Sequence, residues 1–144
     1  MKKLDELQML KRGNVFKHGL FLMGGLTLLN ACLENNDIFI LPDKWSALFI
    51  VLVTIAVCGI EMIIYEIYPL LEKRQKRLIY FIGLFGAASI IVSAIDMVNE
   101  HTPFIRNRQV TDTGTGILFG CAFLSIAAAY LTKSKYQERH NEDD

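Results

Sequence analysis

The chain has 144 residues, carries no formal net charge, and is 52% hydrophobic. A chain this short and this apolar leaves no room for a separate soluble domain beside its apolar runs, so we expect one domain over residues 1–144. The neutral charge, with basic residues divided among short flanking segments, argues against a nucleic-acid partner and predicts none.

Four long apolar runs follow one another along the chain. They cover residues 15–33, 45–68, 78–98 and 115–132, and each is close to the roughly 20 residues that cross a bilayer as a helix. The first and third connections are short enough to join neighbouring antiparallel helices. The sequence therefore predicts an all-α fold, an integral membrane antiparallel four-helix bundle, with the lipid bilayer as its surroundings.

The first run follows a leading segment of mixed charge. Leu4, Leu7 and Leu10 share one helical face of that segment, which fits either a helix on the inner membrane surface or a frayed extension of the first span. An export signal ending at the LNAC sequence before Leu33 is an alternative. The leading segment is long and partly acidic for a signal, so we expect the first span to be retained.

The second run begins at Trp45 and should end before Pro69, because proline lacks the N–H that would continue the helix. At ~1.5 Å of rise per residue, Glu61 lies about 24 Å further along, in the inner third of the bilayer. An ionised carboxylate at that depth is costly unless it is paired. We therefore predict that Glu61 pairs with Lys17 or His18, which lie at the same depth.

Polar side chains form a stripe along one face of the third run. They are Ser89, Ser93, Asp96 and Glu100, with Gly86 beside them. Polar side chains in hydrocarbon face the interior of a bundle, so this face should point inward. Asp96 belongs to the outer third of the bilayer, as Asn30 does, and we predict a second polar layer of these two side chains with His101.

The fourth run carries Gly116 and Gly120, and the third run carries Gly86. We expect these glycines to lie at helix-packing faces because small residues let helix backbones approach in lipid, although the order of the helices does not follow from the sequence. Asp112 or Thr113 should cap the start of this helix. The tail over residues 133–144 changes from basic to acidic, which predicts a solvated and partly disordered cytoplasmic segment.

Basic residues are distributed unequally between the two sides of the four runs. Twelve lie in the N-terminal segment, the middle loop and the tail, namely Lys2, Lys3, Lys11, Arg12, Lys17, Lys73, Arg74, Lys76, Arg77, Lys133, Lys135 and Arg139. Three lie in the other two loops, namely Lys44, Arg106 and Arg108. Because short cytoplasmic loops are rich in Lys and Arg, the sequence predicts a bacterial cytoplasmic membrane protein with both termini in the cytoplasm.

Residues with catalytic or ligand chemistry do not form a specific motif. Asp96, Glu100 and His101 lie close in sequence but lack a second His or Cys, so we predict no metal site. Signatures of serine hydrolases, zinc proteases and phosphate-binding loops are absent from the sequence. The three cysteines lie in apolar runs without paired spacing and are expected to be packing residues. We predict a non-catalytic protein without a cofactor.

Two resemblances to known families follow from these residues. Four spans with one deep carboxylate resemble the small multidrug resistance transporters, although that family has its essential Glu in the first span and this chain has Glu61 in the second. The motifs DELQ at 5–8, KRGN at 11–14 and EIYP at 66–69 resemble small bacterial four-span membrane proteins of unknown function, the DUF6773-like kind. This second resemblance implies four spans and no activity for any residue.

Two functions remain open from the sequence. The first is an accessory, regulatory or self-assembling component of the membrane, bound to another membrane protein or to a second copy of itself. The alternative is a small proton- or cation-coupled transporter in which Glu61 is the proton site. A transporter should have a polar cavity that reaches Glu61, whereas an accessory protein should have a dry interior and an apolar or small-residue outer face.

Overall fold

The computed structural model describes residues 6–65, 67 and 73–142. Within them the chain forms four α-helices and one short antiparallel hairpin. The helices are α1 (Glu6–Glu34), α2 (Asp43–Ile64), α3 (Lys73–Asn99) and α4 (Asp112–Glu142), and the hairpin strands are β1 (Ile105–Arg106) and β2 (Gln109–Val110). All four helices are long and apolar enough to cross a membrane, by length and composition. The predicted all-helical architecture is confirmed.

The helices pack in an order that differs from their order in the chain. α1 packs against α2, α2 against α4, and α4 against α3. In the α3–α4 pair, Gly83 faces Ala127 while Gly86 faces Gly120, so the two helices are antiparallel. Between α2 and α4, Trp45 contacts Phe119 near one end, and Ile63 lies in the same apolar cluster as Tyr130 further along. These two helices are therefore parallel neighbours. The prediction of antiparallel neighbours does not describe this contact.

This arrangement gives the molecule two distinct ends. The starts of α1 and α3 and the ends of α2 and α4 lie together, and we call this the terminal end. The opposite end, called the loop end, contains the α1–α2 connection and the hairpin. The apolar core between α2 and α4 consists of Ala56, Ile63, Ile126 and Tyr130, with Ile60 and Ile79 packed against it.

Small residues bring α3 and α4 close together. A Cβ atom added at Gly86 would lie 2.9 Å from the carbonyl oxygen of Gly120 and 2.9 Å from Cβ of Phe123. A Cβ at Gly116 would meet the hydroxyl of Ser93. The hydroxyl of Ser89 donates a hydrogen bond of 3.0 Å to the carbonyl oxygen of Gly116. Gly86, Ser89 and Ser93 of the predicted polar stripe thus face α4, where the Ser89 hydroxyl is satisfied by the α4 backbone. Asp96 and Glu100 of the same stripe are exposed, so the prediction that the stripe points inward is wrong for these two residues.

The loop end is ordered by backbone hydrogen bonds. Val110 N–H donates to the carbonyl oxygen of Ile40 at 2.9 Å and thereby joins the hairpin to the α1–α2 connection. Thr111 caps α4, because its hydroxyl accepts a hydrogen bond of 3.1 Å from Gly114 N–H. The prediction that Asp112 or Thr113 caps this helix is therefore wrong: the helix starts at Asp112, one residue after its cap.

The structure decides two sequence predictions at the terminal end. α1 is continuous from Glu6 to Glu34, so the leading segment from Glu6 onward extends the first helix, which is one of the two alternatives that the sequence offered. α4 continues to Glu142, so the prediction of a partly disordered tail is wrong for residues 133–142. This segment contains no Gly or Pro, and its Lys, Glu, Gln and Arg residues favour continuation of an existing helix. Tyr68 and Pro69, where the second run was expected to end, lie outside the described residues, and α2 ends at Ile64.

Candidate functional site

The structure brings together two titratable side chains from different helices. His18 Nδ1 of α1 lies 3.2 Å from one carboxylate oxygen of Glu61 on α2 and 3.3 Å from the other. Of the two partners that the sequence offered for Glu61, it is His18 that makes this contact. Lys17 is exposed and projects about 100° away around α1, because it is one residue earlier in the helix.

Close packing of α1 on α2 positions this pair. Gly19 is buried, and a Cβ atom there would meet Sγ of Cys58 and lie 3.7 Å from Thr54. Val15 has no exposed surface, and its carbonyl oxygen accepts a hydrogen bond of 3.8 Å from Cys58 Sγ. Because the two backbones approach this closely beside His18, its imidazole is near enough to contact Glu61 directly.

The pair lies on the flank of the molecule between α1 and α2. The side chain of His18 is 58% exposed and that of Glu61 is 26% exposed. At these distances the imidazole nitrogen and the carboxyl group form one hydrogen bond between α1 and α2. This contact lies on a face that is open to the surroundings of the protein.

The predicted outer polar layer is not present. Asn30 donates a hydrogen bond of 2.7 Å to Glu34 Oε1 on its own helix, and Asp96 is exposed on α3. His101 is exposed and has a φ angle of 50° just beyond the end of α3. The physical reason is the order of the helices: α1 and α3 belong to opposite edges of the row, so equal depth does not bring their side chains together.

Sequence analysis missed a second polar contact, at the loop end. Lys44 Nζ donates to Asp112 Oδ2 at 2.9 Å, and Trp45 Nε1 donates to Asp112 Oδ1 at 2.8 Å. The Trp45 ring also packs edge-on against Phe119 at 5.8 Å between ring centroids. Depth alone could have suggested this contact, because Trp45 begins the second apolar run and Asp112 immediately precedes the fourth. Nothing in the sequence indicates that these two runs are neighbours.

No group of three or more His, Cys, Asp or Glu side chains within the described residues could hold a metal ion. Cys32 and Cys121 are exposed free thiols, and Cys58 is a partly buried one. The described residues thus offer the contact between His18 and Glu61, these thiols, and the charges at the two ends of the helices.

Comparisons with family models, with curated proteins and with solved structures found no match to this chain. The resemblances drawn from the sequence motifs stay predictions. Any function must accordingly be argued from the exposed surface, the interior contacts and the charges of the molecule itself.

Proposed function

We propose that this protein spans the bacterial cytoplasmic membrane four times, with both termini in the cytoplasm, and is a non-catalytic accessory or self-assembling component that binds another membrane protein or a second copy. The observation that carries the proposal is the outer surface of the helices. Phe21 is 79% exposed, Val98 74%, Leu28 70% and Leu84 67%. Soluble monomers rarely expose large continuous apolar surfaces, whereas lipid requires them.

The interior supports an accessory role more than a transport role. Every buried side-chain nitrogen or oxygen in the described part of the chain has a hydrogen-bond partner. Thr54 and Thr115, for example, donate to backbone carbonyls within their own turns, at 2.8 Å and 2.9 Å. A transporter pathway needs polar groups that are available to a substrate or to water. These hydroxyl groups are already used by the backbone.

The position of Glu61 also supports an accessory role more than a transport role. Grooves on the described surface lie along the terminal end of α3 and α4, along the half of α3 nearer the loop end, and at the loop end, and Glu61 lines none of them. Its contact with His18 on the flank joins α1 to α2. A polar pair between helices can specify how they are arranged, and we assign this role to His18 and Glu61. The alternative of a proton- or cation-coupled transporter through Glu61 stays a prediction from the sequence.

α1 offers an outer face suited to a membrane partner. It packs mainly on α2, and Gly24 and Gly25 have no atom within 4 Å of the position that a Cβ would occupy. Glycine on an exposed helix face lets a second helix approach closely, and such contacts drive helix association where no hydrophobic force exists between helices. Phe21 and Leu28 lie beside these glycines and would supply the packing surface.

Site-specific photo-cross-linking in living cells tests this function. A benzophenone amino acid at Leu28 on α1 is expected to give a protein adduct of one defined mass, because a partner covers that face. The control carries the same group at Val92 on α3, which is 57% exposed at a similar distance from the loop end. It should react with lipid. Lipid adducts alone at both positions would contradict the proposed role.

A further inference from the structure

We propose that the terminal end of α3 and α4 binds the headgroup of an anionic phospholipid, with Lys76, Arg77 and Lys135 surrounding the phosphate. The inference rests on the proposed membrane location and names a ligand that the proposed function does not require. It is drawn from three features of the same surface. These are adjoining grooves, an excess of basic side chains, and a row of apolar side chains that lies next to the basic ones, further from the terminal end.

The grooves at this end adjoin one another. One groove of about 390 Å³ runs along α3 and is lined by Lys76, Arg77, Tyr80, Phe81 and Leu84. A second groove of about 290 Å³ lies between α3 and α4 and shares Lys76 and Tyr80 with the first. It also shares Leu131 and Lys135 with a third groove of about 450 Å³ along α4. The basic side chains that form the shared walls therefore line neighbouring grooves across the two helices.

The charge of this surface is positive. The described side chains that line the three grooves include Lys76, Arg77 and Lys135 and no carboxylate. Ser134, which is 7% exposed, adds a hydroxyl to the wall between α3 and α4. Lys, Arg and hydroxyl groups are the donors that bind phosphate oxygens. Basic depressions between spanning helices on the cytoplasmic side are typical sites for anionic headgroups.

The opposite end of the molecule provides a contrast. Its groove of about 500 Å³ has two basic side chains, Lys44 and Arg106, and two acidic ones, Glu100 and Asp112. Lys44 is already hydrogen-bonded to Asp112 at 2.9 Å. A balanced set of charges does not select an anion. We therefore expect the phosphate group to bind at the terminal end and not at the loop end.

The apolar wall indicates a lipid and not a free phosphate ion. Phe81 and Leu84 are 66% and 67% exposed, and on α4 Leu131 is 48% exposed. Leu84 lies about 12 Å further along α3 than Lys76, given ~1.5 Å of rise per residue. Tyr80 lies between the basic and the apolar side chains and is 60% exposed, which suits the boundary between headgroups and acyl chains. An amphiphile fits the whole surface, with its phosphate at the lysines and its chain along the leucines.

Native mass spectrometry of the full chain in mild detergent tests this inference. Phosphatidylglycerol and phosphatidylcholine with identical acyl chains are titrated onto wild type, onto Lys76→Gln/Lys135→Gln, and onto Arg106→Gln/Arg108→Gln. Wild type should prefer phosphatidylglycerol. Because each basic residue near an anionic headgroup contributes roughly fivefold, the first variant, which lacks two of them, should lose about 25-fold in phosphatidylglycerol affinity. The second variant, which loses the same charge at the loop end, should bind as wild type does.

Other results would overturn the inference. Equal binding of the two lipids to wild type, equal losses in both variants, or displacement of the lipid by inorganic phosphate would each exclude a phospholipid site. The single variant Lys135→Gln, with an expected loss of about fivefold, keeps the test valid if the double variant does not fold by circular dichroism. Carbonate extraction distinguishes the two proposals: a chain that stays in the membrane but shows no lipid preference disproves only the lipid site, whereas release into the aqueous fraction disproves the membrane location.

Discussion

Individual glycines determine how closely α3 and α4 approach. The sequence identified Gly86, Gly116 and Gly120 as packing residues from their size and position in apolar runs, and the structure places all three between these two helices. Gly24 and Gly25 are equally small and also lie in an apolar run, yet nothing approaches their Cβ positions within 4 Å. Residue type alone cannot distinguish the two groups, because only the neighbouring helix decides which glycine is covered.

Substitution of Gly86 by Ala should destabilise the protein. The added Cβ would lie 2.9 Å from the backbone oxygen of Gly120, so the helices must separate, at a cost of about 1–3 kcal/mol. The matched control is Gly13→Ala, which has no atom within 4 Å of the added Cβ and should be neutral or stabilise by up to about 1 kcal/mol through helix propensity. Unfolding in SDS, followed by circular dichroism, measures both free energies. Equal effects would show that the α3–α4 contact is not as close as described.

For the candidate site as well, one part of the geometry could be predicted from single residues and another part could not. The depth of Glu61 could be counted from Trp45, and this narrowed its partners to Lys17 and His18. The choice between them depended on the direction of each side chain around α1, and therefore on which face of α1 packs against α2. The same counting failed for Asn30 and Asp96, because their helices are not neighbours.

At the level of elements, the contact between α2 and α4 joins two antiparallel pairs. Trp45 and Phe49 both pack against Phe119, edge-on and stacked respectively. Asp112 receives hydrogen bonds from Lys44 and Trp45 at the start of both helices. Parallel helices place their starts at the same end, so a residue that begins α4 can contact residues that begin α2. A sequence without a known helix order does not reveal this contact.

Asp112→Ala should weaken the α2–α4 contact. It removes the acceptors of Lys44 and Trp45, and for exposed partners the loss is about 1 kcal/mol. Asp112→Asn retains an oxygen for the indole N–H and should lose less. Because Trp45 is the only tryptophan in the chain, its fluorescence reports on this contact while unfolding is measured. If both variants behaved alike, the hydrogen bond from Trp45 would contribute nothing measurable.

The hairpin at the loop end is an element that the sequence did not predict. Its turn residues Asn107 and Arg108 have φ angles of 53° and 65°, as both central residues of a two-residue turn between right-twisted strands require. Asn is tolerated in this conformation, but the usual Gly at the second position is replaced by Arg. The usual sequence signal for such a turn is therefore missing. Strands of two residues are also too short to show the alternation of apolar and polar residues that identifies a strand in a sequence.

For the whole molecule, alternating helix directions place both chain ends at the terminal end. The asymmetry of basic residues predicts that this end is cytoplasmic, since twelve of fifteen basic residues lie in segments connected to it. The exposed apolar side chains on all four helices support the proposed lipid surroundings. Both properties depend on composition summed over long segments, so neither is sensitive to the packing order of the helices.

Cysteine labelling tests this orientation. In a chain with Cys32 and Cys121 changed to Ser and Cys58 to Ala, a cysteine is introduced at Arg106 or at Gln137. A membrane-impermeant maleimide added to spheroplasts should modify the first at once and the second only after the membrane is permeabilised. The reversed pattern would show that the terminal end faces outward. Labelling of both positions in intact spheroplasts would disprove the four-span arrangement.

The sequence by itself determined four apolar helices, the separation of charge between two ends and the position of each polar group along its helix. These properties follow from local composition and from a constant rise per residue. Only the tertiary structure decided that α2 and α4 are neighbours, that His18 contacts Glu61, and that Asn30 and Asp96 do not meet. Such contacts depend on which helix faces fit together, and that fit is a property of pairs of surfaces that lie far apart in the chain.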